Sequence, residues 1–256
     1  MRRLLTPIAL ALFAALIVVG CGGHLPRSTR EKPATEPISV SARDPNVLIV
    51  AHDREYPPYE YVTPGGQSAG ISIDMIKEVA RRMNREVWFH PLPWVDVLKE
   101  LSNGQADITP GMLYSPERSR EWAFSMGWGT ATSVVLVRKT SKYKTVKDVV
   151  PQVLGAPVGD IEYDMLKRKG VTQLIAAKNT EEGLMKTVIG EADGVGCNRE
   201  VAQTIFKQHV GWQSALRELG PPLAVTPIMV ASRKGNERLL HHISQVIQEM
   251  KRDGAF

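Results

Sequence analysis

The sequence predicts an α/β fold built as two lobes. Short apolar segments alternate with segments whose apolar residues recur at helical spacing, and this alternation favours a mainly parallel sheet with helices on both faces. The alternation starts again near residue 135, which indicates a second α/β lobe. The residues that follow position 45 carry this pattern and are enough for one domain or two small lobes.

The first 20 residues are typical of a bacterial secretion signal. Arg2 and Arg3 precede an apolar run over residues 8–19. The run is shorter than the roughly 20 apolar residues of a membrane span and fits the apolar region of a signal peptide. The residues VVGC (18–21) lie at the end of this run and resemble a bacterial lipobox. We therefore expect a signal peptide at 1–20 and a lipid on Cys21; an ordinary signal peptide with an incidental cysteine is the alternative.

The composition indicates a secreted protein on a tether. Residues 21–45 are rich in proline, serine, threonine and charge, and we interpret them as a flexible tether on the lipid anchor. The formal charge of +5 includes the two arginines of the signal segment, and without a run of like charges it gives no indication of nucleic-acid binding. Since Cys197 is the only cysteine besides Cys21, no internal disulfide framework is expected.

The first half begins with a short apolar strand and an amphipathic helix. In chain order its predicted elements are a strand at 47–51, a helix from 73 to 83, a strand at 87–89, a helix at 95–101 and a strand at 107–109. The first helix is predicted because Ile73, Ile76 and Val79 recur at helical spacing. Gly104 is placed to end the second helix.

A turn and a helix follow in the stretch GMLYSPER, residues 111–118. Ser115 is a suitable N-cap and Pro116 suits the first helical position. Arg118 then lies in the first helical turn, where the helix dipole disfavours a cation. Because helix-start amides themselves bind anions, a bound carboxylate would explain the arginine. A solvated arginine on the helix surface is the alternative.

The second half repeats the alternation. In chain order it predicts a strand at 133–137, a helix at 160–169, a helix capped by Thr180, a strand at 194–197, a helix that follows Asn198, a strand at 228–231 and a helix at 237–251. The helix at 160–169 has its acids early and its bases late, in agreement with the helix dipole, and Gly170 is placed to end it.

Several motifs in order make a known family recognisable. They are YPPYEY (56–61), GISIDMIKEVA (70–80), PLPWVDVLKELSNGQADI (91–108), GMLYSPER (111–118), WAFS (122–125), GAPVGDIEY (155–163), ADGVG (192–196) and KGNERLL (234–240). Together they resemble the family 3 extracellular solute-binding proteins, the polar amino-acid receptors of ABC importers. The resemblance covers nearly all of residues 46–254.

The resemblance implies a type II periplasmic-binding-protein fold, with two lobes that close on a ligand about two hinge strands. The first lobe would comprise residues 46–135 and 225–256, and the second residues 136–224. The protein would then lie on the periplasmic side of a bacterial membrane. No catalytic residue, metal site or cofactor is expected; His241 and His242 have no matching cluster of acids or cysteines.

The resemblance also assigns roles to particular residues of the first lobe. Arg118 would bind the α-carboxylate of the ligand through two parallel hydrogen bonds. Tyr56 and Trp94 would enclose the ligand's side chain, or else pack within the first lobe. Asp53 would face the ligand's side chain or ammonium group, or else serve as a turn residue.

Backbone groups near the arginine would complete the carboxylate site. The residues expected to contribute are Gly111, Met112 and Leu113 from the first lobe and Gly159 and Asp160 from a helix start of the second, where Asp160 is alternatively a plain N-cap. The family often has serine or threonine in place of Leu113, so one hydroxyl contact is missing.

A second departure concerns the acid that usually pairs with the ligand's α-ammonium group. Asn198 stands at that position and brings no charge, and it is also a suitable N-cap for the following helix. A buried ammonium without a counter-charge is costly. Either Asp53 or Asp160 therefore compensates, or the ligand lacks an α-amino group.

Three functions are compatible with these residues. The leading hypothesis is a lipoprotein that captures a small carboxylate-bearing solute, such as an amino acid, for an ABC permease. The alternative is a receptor of the same fold that acts on a membrane sensor. A dehydratase is a third hypothesis, since it needs an acid as proton donor, and Asp53, Asp160 and Glu162 are the candidates.

Overall fold

The computed structural model describes residues 44–255 of the chain. The predicted signal peptide, the lipidation site at Cys21 and nearly all of the tether lie outside the described residues, so those assignments stay predictions. Within residues 44–255, no helix is both long and apolar enough to cross a membrane.

Helices and strands alternate along most of the described chain. The helices are α1 Ile71–Arg82, α2 Trp94–Asn103, α3 Arg118–Glu121, α4 Val146–Val149, α5 Ile161–Arg168, α6 Thr180–Ile189, α7 Arg199–Phe206, α8 Trp212–Ala215 and α9 Glu237–Asp253. The strands are β1 Val47–Asp53, β2 Glu55–Tyr56, β3 Glu60–Val62, β4 Ser68–Ala69, β5 Glu86–Leu92, β6 Thr109–Leu113, β7 Trp122–Arg138, β8 Val153–Pro157, β9 Gln173–Ala177, β10 Gly194–Asn198 and β11 Leu216–Arg233.

The central sheet joins strands from both halves in the order β6-β11-β7-β10-β8-β9. A parallel pair, β1 with β5, lies beside it, and Val50 bridges to Ile108 in parallel just before β6. The expectation of a mainly parallel sheet is wrong at its centre, because β7 pairs antiparallel with both β10 and β11. A smaller antiparallel sheet consists of β2, β3 and β4.

Two long strands connect the two lobes of this α/β fold. β7 has 17 residues and β11 has 18, and they pair from Trp122 opposite Arg233 to Arg138 opposite Leu216. The lobe boundaries predicted at 135/136 and 224/225 fall within these strands. The pairing register of β11 shifts between Leu219 and Ala224, next to the second of these positions.

Apolar helix faces and the sheet form the core. On α1, Ile73, Ile76 and Val79 are fully buried, as the helical spacing predicts, and each buried side chain of this size contributes about 1.5–3 kcal/mol. On α2, Val97 and Leu101 are buried. In the second lobe, a separate cluster packs α5 against the sheet through Val135, Leu154, Leu166 and Leu219.

Two helix N-caps differ from the prediction, while the starts of α1, α2 and α5 lie within two residues of it. α3 begins at Arg118 rather than at Pro116 and has only four residues, but the Ser115 Oγ still accepts a hydrogen bond from the Arg118 amide at 3.1 Å. The cap of α6 is Asn179 rather than Thr180, since the Asn179 side chain accepts from the Glu182 amide. Gly104 ends α2 in the left-handed conformation, as predicted.

Candidate functional site

A cavity lies where loops and helix starts of the two lobes meet. Its lining residues are Asp53, Tyr56, Glu60, Trp94, Gly111, Leu113 and Arg118 from the first half of the chain, and Asp160, Ile161 and Glu162 from the second. The free volume between them is ≈ 20 Å³, about the room that one water needs. The two lobes are therefore closed on each other in this structure.

Arg118 lies at the centre of the contact between the lobes. Its Nη1 donates to the Leu113 carbonyl at 3.1 Å and its Nη2 donates to the Gly159 carbonyl of the second lobe at 2.7 Å. The guanidinium carbon lies 5.8 Å from the centroid of the Trp94 ring, within the range of a cation–π interaction. Burial lowers the pKa of Arg118. The side chain is thus directed into the cleft and is not a solvated surface group.

Gly159 receives hydrogen bonds from two side chains of the opposite lobe. Its carbonyl oxygen accepts from the Trp94 indole at 2.9 Å as well as from Arg118. Gly159 has a φ of +85°, and a Cβ at this position would lie 3.2 Å from the Trp94 Cδ1. A glycine is favoured here both by the backbone conformation and by the close approach of the indole.

Four carboxyl groups line the same cavity. Glu60 and Glu162 are each only 1% exposed. The Glu60 Oε2 accepts from the Asp53 amide at 3.2 Å, and the Glu162 Oε1 accepts from the Ser133 hydroxyl at 2.5 Å. Asp160 occupies the N-cap position of α5, yet its side chain makes no capping hydrogen bond. Its carboxylate is therefore available to the cavity.

Burial dominates the electrostatics of these acids. Desolvation raises the pKa of Asp53 to about 7 and raises the pKa of Glu60 and Asp160 well above the usual range. The pKa of Glu162 is also raised by burial, although the Ser133 hydroxyl and Arg118 oppose the rise. A buried carboxyl group gains most from a nearby positive charge. The cavity is therefore suited to a positively charged group besides the carboxylate that Arg118 can bind.

The predicted aromatic pair lies at the cavity. Trp94 begins α2 and is 9% exposed. Tyr56 ends β2, and its ring stacks on Tyr59 with centroids 5.8 Å apart and planes at 27°. Tyr59 in turn packs edge-on against Trp128 at 6.5 Å. The ring of Tyr56 is thus supported from behind by the first lobe.

The side chains of two predicted site residues do not line the cavity, and the backbone role predicted for Met112 stays a prediction. Met112 is fully buried in the first-lobe core and pairs with Met229 in the sheet, so its side chain does not line the cavity. Asn198 is 1% exposed and its Oδ1 accepts from the Val201 amide at 3.0 Å, which is the N-cap role that the sequence left open. Asn198 is not among the lining residues either.

One lining acid was not predicted at all. Glu60 belongs to the motif YPPYEY, but its sequence position carries no sign that a carboxyl group is buried there. Glu162 was considered only as a proton donor. Among residues 44–255, no group of three or more histidine, cysteine and acidic side chains could hold a metal ion.

Comparisons with known proteins show which proteins the chain is similar to. Residues 48–256 match the family described as bacterial extracellular solute-binding proteins, family 3. The chain is 24% identical over 227 residues to the L-cystine-binding protein TcyJ of Escherichia coli K12, which covers 86% of this chain and 84% of that one. It is also 25% identical over 248 residues to a probable histidine-binding protein of Neisseria gonorrhoeae. That match covers 95% of this chain and 89% of the Neisseria protein.

A solved structure shows the same fold at lower sequence identity. It is described as a histidine kinase sensor domain with similarity to periplasmic binding proteins. It matches 82% of this chain and 92% of its own with a TM-score of 0.77, at 21% identity. At that level of identity the likeness concerns the fold alone.

Proposed function

Because the chain belongs to the bacterial extracellular solute-binding proteins of family 3, we propose that it captures a small carboxylate-bearing solute of the amino-acid type between its lobes and presents it to an ABC permease. Relatives that span most of the chain are named as binding proteins for cystine and histidine. Both of these solutes carry an α-carboxylate and an α-amino group, which supports the proposed class.

The observation that carries the proposal is the buried guanidinium of Arg118 at the junction of the lobes. Its hydrogen bonds to Leu113 and Gly159 leave further N–H donors of the planar group for a ligand. A carboxylate is a better acceptor for a guanidinium than a backbone carbonyl, because it carries a full negative charge and can accept two parallel N–H bonds from the planar group. The solute's carboxylate would therefore compete well with the Gly159 carbonyl.

Capture requires the lobes to separate and close again. The free volume of ≈ 20 Å³ is too small for an amino acid, so a solute enters when the lobes move apart. We assign the movement to β7 and β11, with lobes at 46–135 plus 225–256 and at 136–224, since closure about a few connecting residues is a common response to ligand.

The predicted lipid on Cys21 would hold this receptor at the membrane. The predicted tether at 21–45 would let the two lobes reach a permease, since a flexible chain of that length would span roughly 25–30 Å. Metabolic labelling with palmitate and a Cys21→Ala variant test this: we expect label on the wild type and none on the variant. Label that persists without Cys21 would contradict the anchor.

Ligand binding is tested by thermal unfolding of the full-length protein with amino acids and with amino-free carboxylates. A ligand at about a hundred times its Kd should stabilise the protein by roughly 2.7 kcal/mol. We expect Arg118→Ala to abolish the shift and Arg120→Ala, an exposed neighbour on α3, to retain it. A ligand that stabilises Arg118→Ala as much as the wild type would contradict the proposed carboxylate site.

A further inference from the structure

We propose that Glu162, in the first turn of α5, recognises the positively charged α-amino group of the solute and thereby replaces an acid at position 198. The inference rests on the proposed function, since it concerns the same cavity. It resolves the conflict between a cavity suited to amino acids and an uncharged asparagine at the end of β10.

Asn198 is a poor partner for an ammonium group, because it is uncharged and its oxygen is already engaged. Its Oδ1 is engaged by the Val201 amide at 3.0 Å. Its Nδ2 is buried and has no hydrogen-bond partner among the described residues, and an amide nitrogen only donates. An ammonium group only donates as well, so Asn198 offers it at most the second lone pair of an Oδ1 that already accepts from Val201, and it offers no charge.

Glu162 lies close to that strand and carries the missing charge. It lines the cavity together with Arg118 and is 1% exposed. Its Oε1 is held by the Ser133 hydroxyl at 2.5 Å, and Ser133 is the pairing partner of Asn198 between β7 and β10. The carboxylate is therefore anchored by the residue directly opposite the position that lacks an acid.

The packing of α5 brings this carboxylate close to β10. Gly196 precedes Asn198 by two residues, and a Cβ at Gly196 would lie 2.7 Å from the Leu166 Cδ1 and 3.6 Å from the Glu162 Cβ. Because glycine has no side chain, the helix can approach the strand closely. The Glu162 side chain then occupies the space beside the strand end.

The other acids of the cavity are less suited to this role. The Asp53 Oδ1 already accepts from the Glu55 amide at 2.8 Å. The Glu60 Oε1 lies 2.5 Å from where a Cβ of Gly111 would stand, so it faces the first lobe's own strand. Asp160 is only half-buried, and within residues 44–255 its carboxylate makes no capping hydrogen bond that would fix it. Glu162 alone among the four lining acids is both buried and anchored by a hydroxyl group.

The charges of the cavity then match an α-amino acid. Arg118 takes the carboxylate and Glu162 takes the ammonium group. Burial raises the pKa of Glu162 while Arg118 lowers it, and an ammonium group beside the carboxylate would favour its charged form further. Asp53 and Glu60, which approach from β1 and β3, remain for the side chain of the solute.

Three pairs of probes test the assignment, because the members of each pair differ only in the α-amino group. They are L-arginine with 5-guanidinopentanoic acid, L-histidine with 3-(imidazol-4-yl)propanoic acid, and L-glutamine with glutaramic acid. Affinities are measured by calorimetry on the full-length protein. For the pair that binds, we expect the wild type to prefer the amino acid by at least about a hundredfold.

The variant Glu162→Gln keeps the shape and removes the charge, so its preference should fall at least tenfold. Ser133→Ala removes the hydroxyl that holds Glu162 but keeps the carboxylate, so we expect a smaller loss of the preference for the amino acid. This variant also tests the assignment if Glu162→Gln does not fold. The matched control is Asp164→Asn on the exposed face of the same helix, which should retain the wild-type preference.

The possible outcomes separate the two proposals. If neither these probes nor any amino acid of the thermal-unfolding screen binds, the amino-acid function itself is wrong and the role of Glu162 falls with it. If amino acids and amino-free acids bind the wild type equally, the function stands and the inference is overturned. A preference that persists in both Glu162→Gln and Ser133→Ala, or that is lost in Asp160→Asn instead, also overturns it.

Discussion

At the scale of single residues, Arg118 shows how a local cost is compensated by the fold. A cation at a helix start opposes the helix dipole by a few tenths of a kcal/mol up to about 1 kcal/mol. The side chain recovers this through the carbonyls of Leu113 and Gly159 and through the face of Trp94. Arg118 thus depends on contacts from both lobes. Its place at a helix start is explained by the cleft between the lobes and not by the local sequence.

Gly159 offers a test of this dependence. Gly159→Ala places a methyl group 3.2 Å from the Trp94 Cδ1, so we expect closure and solute affinity to fall at least tenfold. Gly66→Ala is the matched control, since Gly66 has a φ of +81° but nothing within 4 Å of its Cβ position. Both variants should lose about 1–2 kcal/mol of stability from the backbone conformation. Equal affinities in the two variants would contradict the role of Gly159.

The pKa of Asp53 predicts a pH dependence of stability. Burial raises this pKa from 3.8 to about 7, so the folded state keeps a proton that the unfolded state releases. This contribution is present below about pH 4, and the free energy of unfolding falls as the pH rises toward 7. Asp53→Asn removes the contribution, so its stability relative to the wild type should increase between pH 4 and 7.

Urea unfolding at pH 4, 5.5 and 7 measures this difference. His52, whose pKa burial lowers from 6.5 to about 4, acts in the opposite direction over the same range, but it is present in both proteins. Glu60 faces Asp53 and has a pKa raised in part by the Asp53 charge, so its own contribution should shrink in the variant. Parallel pH profiles for wild type and variant would contradict the burial of Asp53.

At the scale of helices and strands, amphipathic helices were predictable and paired strands were not. α1 and α2 follow from the spacing of their apolar residues and from the left-handed Gly104. Only the apolar end of β7, residues 133–137, stands out in the sequence. The part from Trp122 onward contains serine, threonine and glycine, and its strand conformation results from pairing with β11.

The candidate site was predictable to a similar extent and for the same reason. Arg118 and Trp94 belong to contiguous motifs, so the sequence alone indicates them. The burial of Glu60 and Glu162 depends on how α1, α5 and the strands pack, which is a tertiary property. Helix capping explains the orientation of Asn198, because its side chain accepts from the next helix instead of lining the cavity.

The packing of α5 supports the part of the cavity that the second lobe provides. Leu166 is fully buried in this helix, so Leu166→Ala should destabilise the protein by about 2–5 kcal/mol. Val210→Ala is the control, because Val210 is fully exposed and such substitutions usually lie within about 0.5 kcal/mol of the wild type. Urea unfolding measures both; similar values for the two would contradict the packing of α5.

At the scale of the whole molecule, the closed state depends on the centre of the cleft more than on its rim. At the rim, Arg168 lies 3.5 Å from Glu117 across the lobes, with side chains 46% and 51% exposed. Exposed pairs of this kind contribute about 0–1 kcal/mol. At the centre, by contrast, the guanidinium of Arg118 is buried and bonded to the opposite lobe.

Removing the charge of one partner of this rim pair should therefore change the solute affinity only slightly. We expect Glu117→Gln to reduce solute affinity by less than about fivefold, since 1 kcal/mol corresponds to about that factor. Calorimetry with the tightest-binding amino acid measures the change. A loss of more than tenfold would mean that the rim, rather than Arg118 and Gly159, holds the lobes together.

The crystal structure of the protein with its tightest-binding amino acid shows whether Arg118 holds the solute's carboxylate between the lobes. We expect the solute between the lobes, with its carboxylate oxygens about 2.7–2.9 Å from the Arg118 nitrogens and its amino group on the second-lobe side. A solute bound outside the cleft, or one that turns its carboxylate away from Arg118, would contradict this expectation.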